Sequence, residues 1–186
     1  VRKMRRRRRI RFLLAFFALC LIVFAILSVT VLFPITKIVS SDCGKYTAEQ
    51  IISASKIEEG DNLIINGWKS DQKRICTSLP YIKSVKFSKS LDGTLKISAK
   101  SAYEKYLINS PDGLFLTDPD LKILDVDTQA SEDIICVYTY GSISGAKGET
   151  AKFSDDTDKE LFDFVTRKLE EYKIDYTVVD ISLFET

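Results

Sequence analysis

The groups that could carry chemistry in this chain are carboxylates and thiols, because its 186 residues include no histidine. Without an imidazole there is no Ser-His-Asp or Cys-His nucleophile and no histidine-ligated zinc. No glycine-rich phosphate loop is present either. The densest acidic cluster, Asp155-Asp156-Thr157-Asp158, invites a cation-binding reading. A calcium loop, however, alternates its oxygen ligands around a glycine and ends on a distal glutamate. These acids instead open a helix with Ser154 as N-cap, where carboxylates face the positive end of the helix dipole. A carboxylate pair for glycoside hydrolysis is a further option, yet nothing singles out two of the acids. Trp68 could stack on a ligand; a core or membrane-proximal aromatic is the plainer reading. Of the four cysteines, Cys20 falls in an apolar run, and Cys43, Cys76 and Cys136 match no metal spacing. A Cys43–Cys76 bridge and three buried thiols both stay open.

The elements that must position these groups can be read from periodicity. Ile35 to Val39 is strand-like, and Thr47-Ala48-Glu49-Gln50 has capping-box spacing ahead of a short helix with Ile51, Ile52 and Ala54 on its buried side. A turn at Glu59-Gly60-Asp61-Asn62 leads to a second helix from near Asn66 to Leu79, ahead of Pro80, with Trp68, Ile75, Cys76 and Leu79 toward the core. Val85 and Phe87, then Leu95, Ile97 and Ala99, alternate with Lys and Ser on either side of Asp92-Gly93, which spells a β-hairpin with one wet face. The result is strand, helix, helix, strand, strand. From Tyr106 onward short strands alternate with turn residues, Pro111-Asp112-Gly113 and Asp118-Pro119-Asp120, as in an antiparallel meander, with another strand within 134–140. A long helix follows Ser154, with Leu161, Val165, Leu169 and Tyr172 as its apolar stripe, and the chain closes with a strand from Tyr176 to Leu183. The fold class is α+β.

The N-terminal part is a different physical object. Eight of the 27 basic residues, among them Arg5, Arg6, Arg7, Arg8, Arg9 and Arg11, stand in the first eleven positions, so the rest carries 19 basic against 26 acidic groups, a net of −7. Between these parts, Phe12 to Phe33 is an uncharged apolar run of 22 residues, enough as a helix to cross about 30 Å of hydrocarbon. A secretory signal would have a shorter core and a small-x-small cleavage site, which Val29, Val31, Leu32 and Phe33 do not supply. The arginines then serve as a topology signal that keeps the N-terminus cytoplasmic and touches anionic lipid, rather than as a nucleic-acid patch. The expected layout is a basic tail at 1–11, a transmembrane helix at 12–33, and extracytoplasmic domains at 34–102 and 103–186.

This order of parts resembles the bacterial cell-division family called FtsQ or DivIB. The segments that carry the resemblance are "FPITKIV", "IEEGDNLI", "LPYIKSVKFSKSLDGTLKISAK" and "LTDPDLKIL". It implies a POTRA domain (βααββ) at 34–102 and a β-rich domain with one long helix at 103–186. It also implies a non-catalytic, single-pass plasma-membrane scaffold at the division septum, with no cofactor, metal, nucleic acid or small-molecule substrate. Its partners would be membrane lipid and small bitopic division proteins of the FtsL and FtsB/DivIC type, bound at an open sheet edge near Tyr176, Val178, Val179 and Ile181, and it would help control septal peptidoglycan synthesis. The chain departs from the family at Ser101, Ala102 and Glu104, where an acid-base pair and a proline are frequent, and at Leu121, where glycine is usual. Family members continue past a segment like "DYTVVDISLFET", so the β domain is expected to be incomplete at its C-terminus, and Val1 in place of Met suggests a fragment or a non-standard start. Two readings outside the family are an anchored extracytoplasmic ligand-binding or sensor domain and a hydrolase working with carboxylates alone.

Overall fold

The computed structural model describes residues 13–24, 33–63, 67–90, 92–128 and 134–181. The basic tail, Phe12, residues 25–32, Asn66 and Leu183 lie outside the described residues.

The expected transmembrane helix over 12–33 is corrected. The helix there, α1, is described over residues 13–24. No helix among the described residues is long and apolar enough to cross a membrane. Phe33, expected to end the span, is not helical, and its carbonyl accepts a hydrogen bond from the Leu63 amide at 2.8 Å. Its ring packs against Ile35, Ile57, Leu63 and Leu95. Those buried neighbours draw Phe33 into the first folded domain.

That domain begins with β1 (Lys37–Ser40) and then α2 (Ala48–Ser55), whose capping box forms as the sequence predicts: Gln50 N–H reaches Thr47 Oγ1 at 3.3 Å, and Thr47 N–H reaches Gln50 Oε1 at 3.0 Å. Helix α3 (Trp68–Ser78) starts after Gly67 and stops ahead of Pro80. Strands β2 (Ile82–Lys89) and β3 (Thr94–Ser101) form the hairpin, pairing Val85 with Ala99 and Phe87 with Ile97. At the hairpin tip Gly93 has φ +84°, and a Cβ there would stand 2.6 Å from Thr36 Oγ1 and 3.0 Å from the Pro34 carbonyl. Sheet order is β1-β3-β2, with β1 parallel to β3. Ile51, Ile75, Ile82, Val85 and Ile97 are buried between this sheet and the two helices.

The second domain contains β4 (Tyr106–Ser110), β5 (Gly113–Thr117) and β6 (Ile123–Val126), the antiparallel meander. The next strand, β7 (Ile135–Tyr138), does not extend the meander beyond β6. It returns to pair parallel with β4. A two-stranded hairpin, β8 (Ile143–Ser144) and β9 (Lys152–Phe153), precedes α4 (Asp156–Glu171), and β10 (Val178–Asp180) adds parallel to β7. The order is β10-β7-β4-β5-β6.

The cap of α4 is Asp155 rather than Ser154. The Ser154 amide still bonds the Ser142 carbonyl, continuing β9, while the Asp155 carboxylate accepts from Thr157 N–H at 2.8 Å. This phase buries Asp158, Phe162 and Thr166; Leu161, Val165 and Leu169 flank that line, and Tyr172 lies 68% exposed. Phe162 meets Tyr106 edge-on with centroids 5.1 Å apart, at the centre of a core that includes Ile108, Phe115, Val137, Val179 and Ile181.

Leu121 explains one departure noted in the sequence. Its φ is +61°, a left-handed conformation that costs a branched residue about 1 kcal/mol, yet its side chain is only 5% exposed within the second core. Burial holds it in the strained conformation. Leu121→Ala should therefore destabilise by about 2–4 kcal/mol, and Leu121→Gly by about 1 kcal/mol less than that, inverting the usual order of the two. Urea denaturation of both variants checks this; a glycine variant weaker than the alanine one contradicts it.

Candidate functional site: an open sheet edge and the interdomain junction

A five-stranded open sheet has two edges, and each leaves a row of backbone N–H and C=O groups to be satisfied. In the second domain the two edges are treated differently. The β6 edge is covered by residues 148–151: Gly148 N–H bonds the Ile123 carbonyl, Ile123 N–H the Glu149 carbonyl and Ala151 N–H the Leu121 carbonyl, each at 2.8 Å. No described strand flanks β10 on its far side. The Thr177 carbonyl and Ile181 N–H both bond toward β7, at 2.8 and 3.0 Å. By the alternation of a parallel ladder, the backbone groups of Val178 and Asp180 then point outward.

The four side chains expected to meet a partner divide accordingly. Val179 and Ile181 are 4% and 1% exposed and anchor β10 onto the α4 side of the sheet. Tyr176 packs against the same core, where burial, then the neighbouring Tyr106, pushes its phenol up to about 12. Val178 alone of the four is exposed, at 57%. It stands opposite Cys136, on the face away from α4, near exposed Tyr138. The edge thus offers outward backbone groups and one free apolar side chain.

The sequence matches no family model, and no curated protein matches it.

Three contacts of the second domain converge on the end of α3. The carbonyl of Cys76 would normally accept from the amide four residues on, but that residue is Pro80, which has no N–H. The Ile82 carbonyl lies where a register shift interrupts the β2–β3 pairing. The Lys122 ammonium donates to both carbonyls, 2.7 Å from each. Lys122 itself is half-buried, and desolvation holds its pKa below the ordinary lysine value, against the opposing influence of Cys76 and Asp118. Lys83 pairs with Asp120 at 2.6 Å on the rim. Gly148 approaches so closely that a Cβ would stand 2.1 Å from the Thr77 carbonyl oxygen. On the other side of the junction, Glu104 accepts from the Tyr81 hydroxyl at 2.7 Å and from Lys45 Nζ at 3.1 Å, and Lys45 lies 3.6 Å from the centre of the Tyr81 ring. The Tyr81 and then the Lys45 hydrogen bonds hold the Glu104 carboxyl below its ordinary value, outweighing partial burial.

The residues with chemical potential are otherwise dispersed. Cys43, Cys76 and Cys136 are free thiols, each half-buried, so no Cys43–Cys76 bridge forms. Trp68 packs on Phe87, with Lys89 over its ring. The buried acids sit on separate elements with their own partners: Asp71 with Arg74 at 2.7 Å, Asp118 with the amides of Asp120 and Lys122, Asp158 with the Thr139 hydroxyl at 3.2 Å. Among the described residues no group of three or more acidic or thiol side chains is placed to hold a metal ion. No motif or spacing singles out Lys122 in the sequence; the proline four residues after Cys76 is its one local signal.

Lys122→Met should cost about 1–3 kcal/mol, because it takes the lysine donor from two part-buried carbonyls, while Asp120→Asn costs less than about 1 kcal/mol at the exposed rim. Chemical denaturation compares them, and equal losses would contradict the assignment. Glu104 sets a pH dependence. Its folded pKa is depressed, so its contribution is present above the ordinary value of 4.5 and is lost as pH falls through the lowered folded value. The stability gap between wild type and Glu104→Gln is expected to close over that acid window; a gap that persists at the lowest pH argues against the contact.

Proposed function

We propose that this protein is a non-catalytic scaffold of the bacterial division machinery, of the FtsQ or DivIB type, working at the extracytoplasmic face of the cell membrane at the septum. It would bind small coiled-coil division proteins of the FtsL and FtsB/DivIC type, and so help control septal peptidoglycan synthesis. The observation that carries this reading is the unequal treatment of the two sheet edges: the loop at 148–151 bonds the β6 edge at Leu121 and Ile123, and no segment among the described residues covers β10. An extended partner segment can add beside Val178 and Asp180, gaining backbone hydrogen bonds for affinity and an apolar contact at Val178 for selectivity. Further support comes from the order strand, helix, helix, strand, strand in the first domain, which is the order the resemblance implies.

The Lys122 junction gives such a scaffold its mechanics. A partner held at β10 is coupled to the first domain through the second core and the contacts at the end of α3, without any chemistry at the site.

Val178→Pro separates edge recognition from folding, because the N–H it removes points away from β7. The variant should keep its stability to within about 1 kcal/mol and lose at least about tenfold in capture of FtsL- and FtsB/DivIC-type partners. Pull-down with wild type and variant, alongside the midcell position of a fluorescent fusion, makes the test. Undiminished capture by a folded variant would remove β10 as the docking edge, and an even rim of fluorescence would remove the divisome assignment.

A further inference from the structure

On β2 and β3 the solvent face of the β1-β3-β2 sheet is built from lysine and serine, with half-buried Val39 of β1 beside Lys96. On β2 it presents Ser84, Lys86 and Ser88; on β3 it presents Lys96, Ser98 and Lys100. The register sets Lys86 opposite Ser98, Ser88 opposite Lys96 and Ser84 opposite Lys100. Lys86 therefore has Lys96 and Lys100 as its two diagonal neighbours, at roughly 7–8 Å between backbones. Lys37, opposite Thr94, extends the same face to the third strand. All four lysines are exposed, and none has an ion-pair partner among the described residues.

This arrangement runs against what stability alone would select. Opposite charges across strands are favourable, and neighbouring like charges are not. The chain beyond its basic tail is acidic, with 26 carboxylates available, yet none occupies this face; the nearby Glu58, Glu59 and Asp61 stand on the loop between the helices. A ligand with closely spaced negative charge would relieve the repulsion among the lysines, and the serine hydroxyls between them are suited to phosphate oxygens.

The position of the face indicates which phosphate surface it meets. The chain enters this domain at the hairpin tip, where Thr36 N–H bonds the Gly93 carbonyl at 2.9 Å and Thr36 Oγ1 bonds the Asp92 carbonyl at 3.0 Å. Upstream, α1 exposes Leu13, Leu14, Phe16, Phe17, Phe24 and further large apolar side chains, a surface water alone would not leave uncovered. The lysine face thus belongs to the domain that follows this exposed apolar segment in the sequence, with Lys37 thirteen residues after Phe24. We propose that it docks on the phosphate headgroups of an anionic lipid bilayer. Lys86, Lys96 and Lys100 supply the charge, and the face holds the first domain flat while the β10 edge stays clear for a protein partner.

Amine-reactive labelling of the full-length chain on vesicles, read residue by residue, tests this without relying on a variant. On vesicles of about seven parts phosphatidylcholine to three of phosphatidylglycerol, labelling of Lys86, Lys96 and Lys100 should fall about fivefold relative to pure phosphatidylcholine, and should recover in about 0.5 M salt. Lys159 and Lys168 on α4 should not change. Equal labelling on the two vesicle types overturns the proposal, as does protection by a soluble polyphosphate with none from the anionic vesicles.

Discussion

The two domains are joined where a proline leaves a carbonyl without a donor. Pro80 ends α3 and aims the chain into β2, and in doing so it strands the oxygen of Cys76. A buried peptide oxygen without a partner is costly, and the second domain answers with Lys122, which takes the Ile82 oxygen as well. Everything near that ammonium is consistent with its position. The Asp118 carboxylate fixes the turn by accepting from the amides of Asp120 and Lys122, both at 2.9 Å. Leu121 accepts a left-handed backbone to bury its side chain, and Gly148 lets a loop touch Thr77.

The same rule, that backbone groups leaving water must find partners, separates the two edges of the large sheet. The loop at 148–151, which approaches α3, is also the loop that closes β6, so one segment serves both the junction and the edge. At β10 no described segment does this, and the buried side chains of Val179 and Ile181 hold the strand in place while the ladder turns the backbone groups of Val178 and Asp180 outward. An edge strand anchored by buried side chains and a hydrogen-bonded junction suit the scaffold role proposed above.

What the sequence made legible was local. The capping box at Thr47 and Gln50, the stop at Pro80 and the alternation of Val85, Phe87, Leu95 and Ile97 each depend on neighbours a few residues away, and each appears in the structure. Features set by distant partners were not legible. The return of β7 to lie parallel beside β4 depends on a register between segments about thirty residues apart, and no periodicity encodes it. On α4 the stripe of Leu161, Val165 and Leu169 does pack on the core, but around a buried Phe162 and without Tyr172, and the cap is Asp155 because Ser154 is still tied to Ser142. Phe33 looked like the end of an apolar run, and is instead claimed by Ile57, Leu63 and Leu95. For the candidate edge, the sequence located the strand but could not tell Val178, which faces out, from Val179, which faces in.

Residue-resolved amide hydrogen exchange at Val178 and Asp180, with and without a division-protein partner, tests the central claim most directly. The account predicts rapid exchange of both amides in the free protein and slowing of at least about a hundredfold in the complex, with Val179 and Ile181 protected throughout. Slow exchange of Val178 and Asp180 in the free protein, or no slowing once the partner is bound, would contradict it.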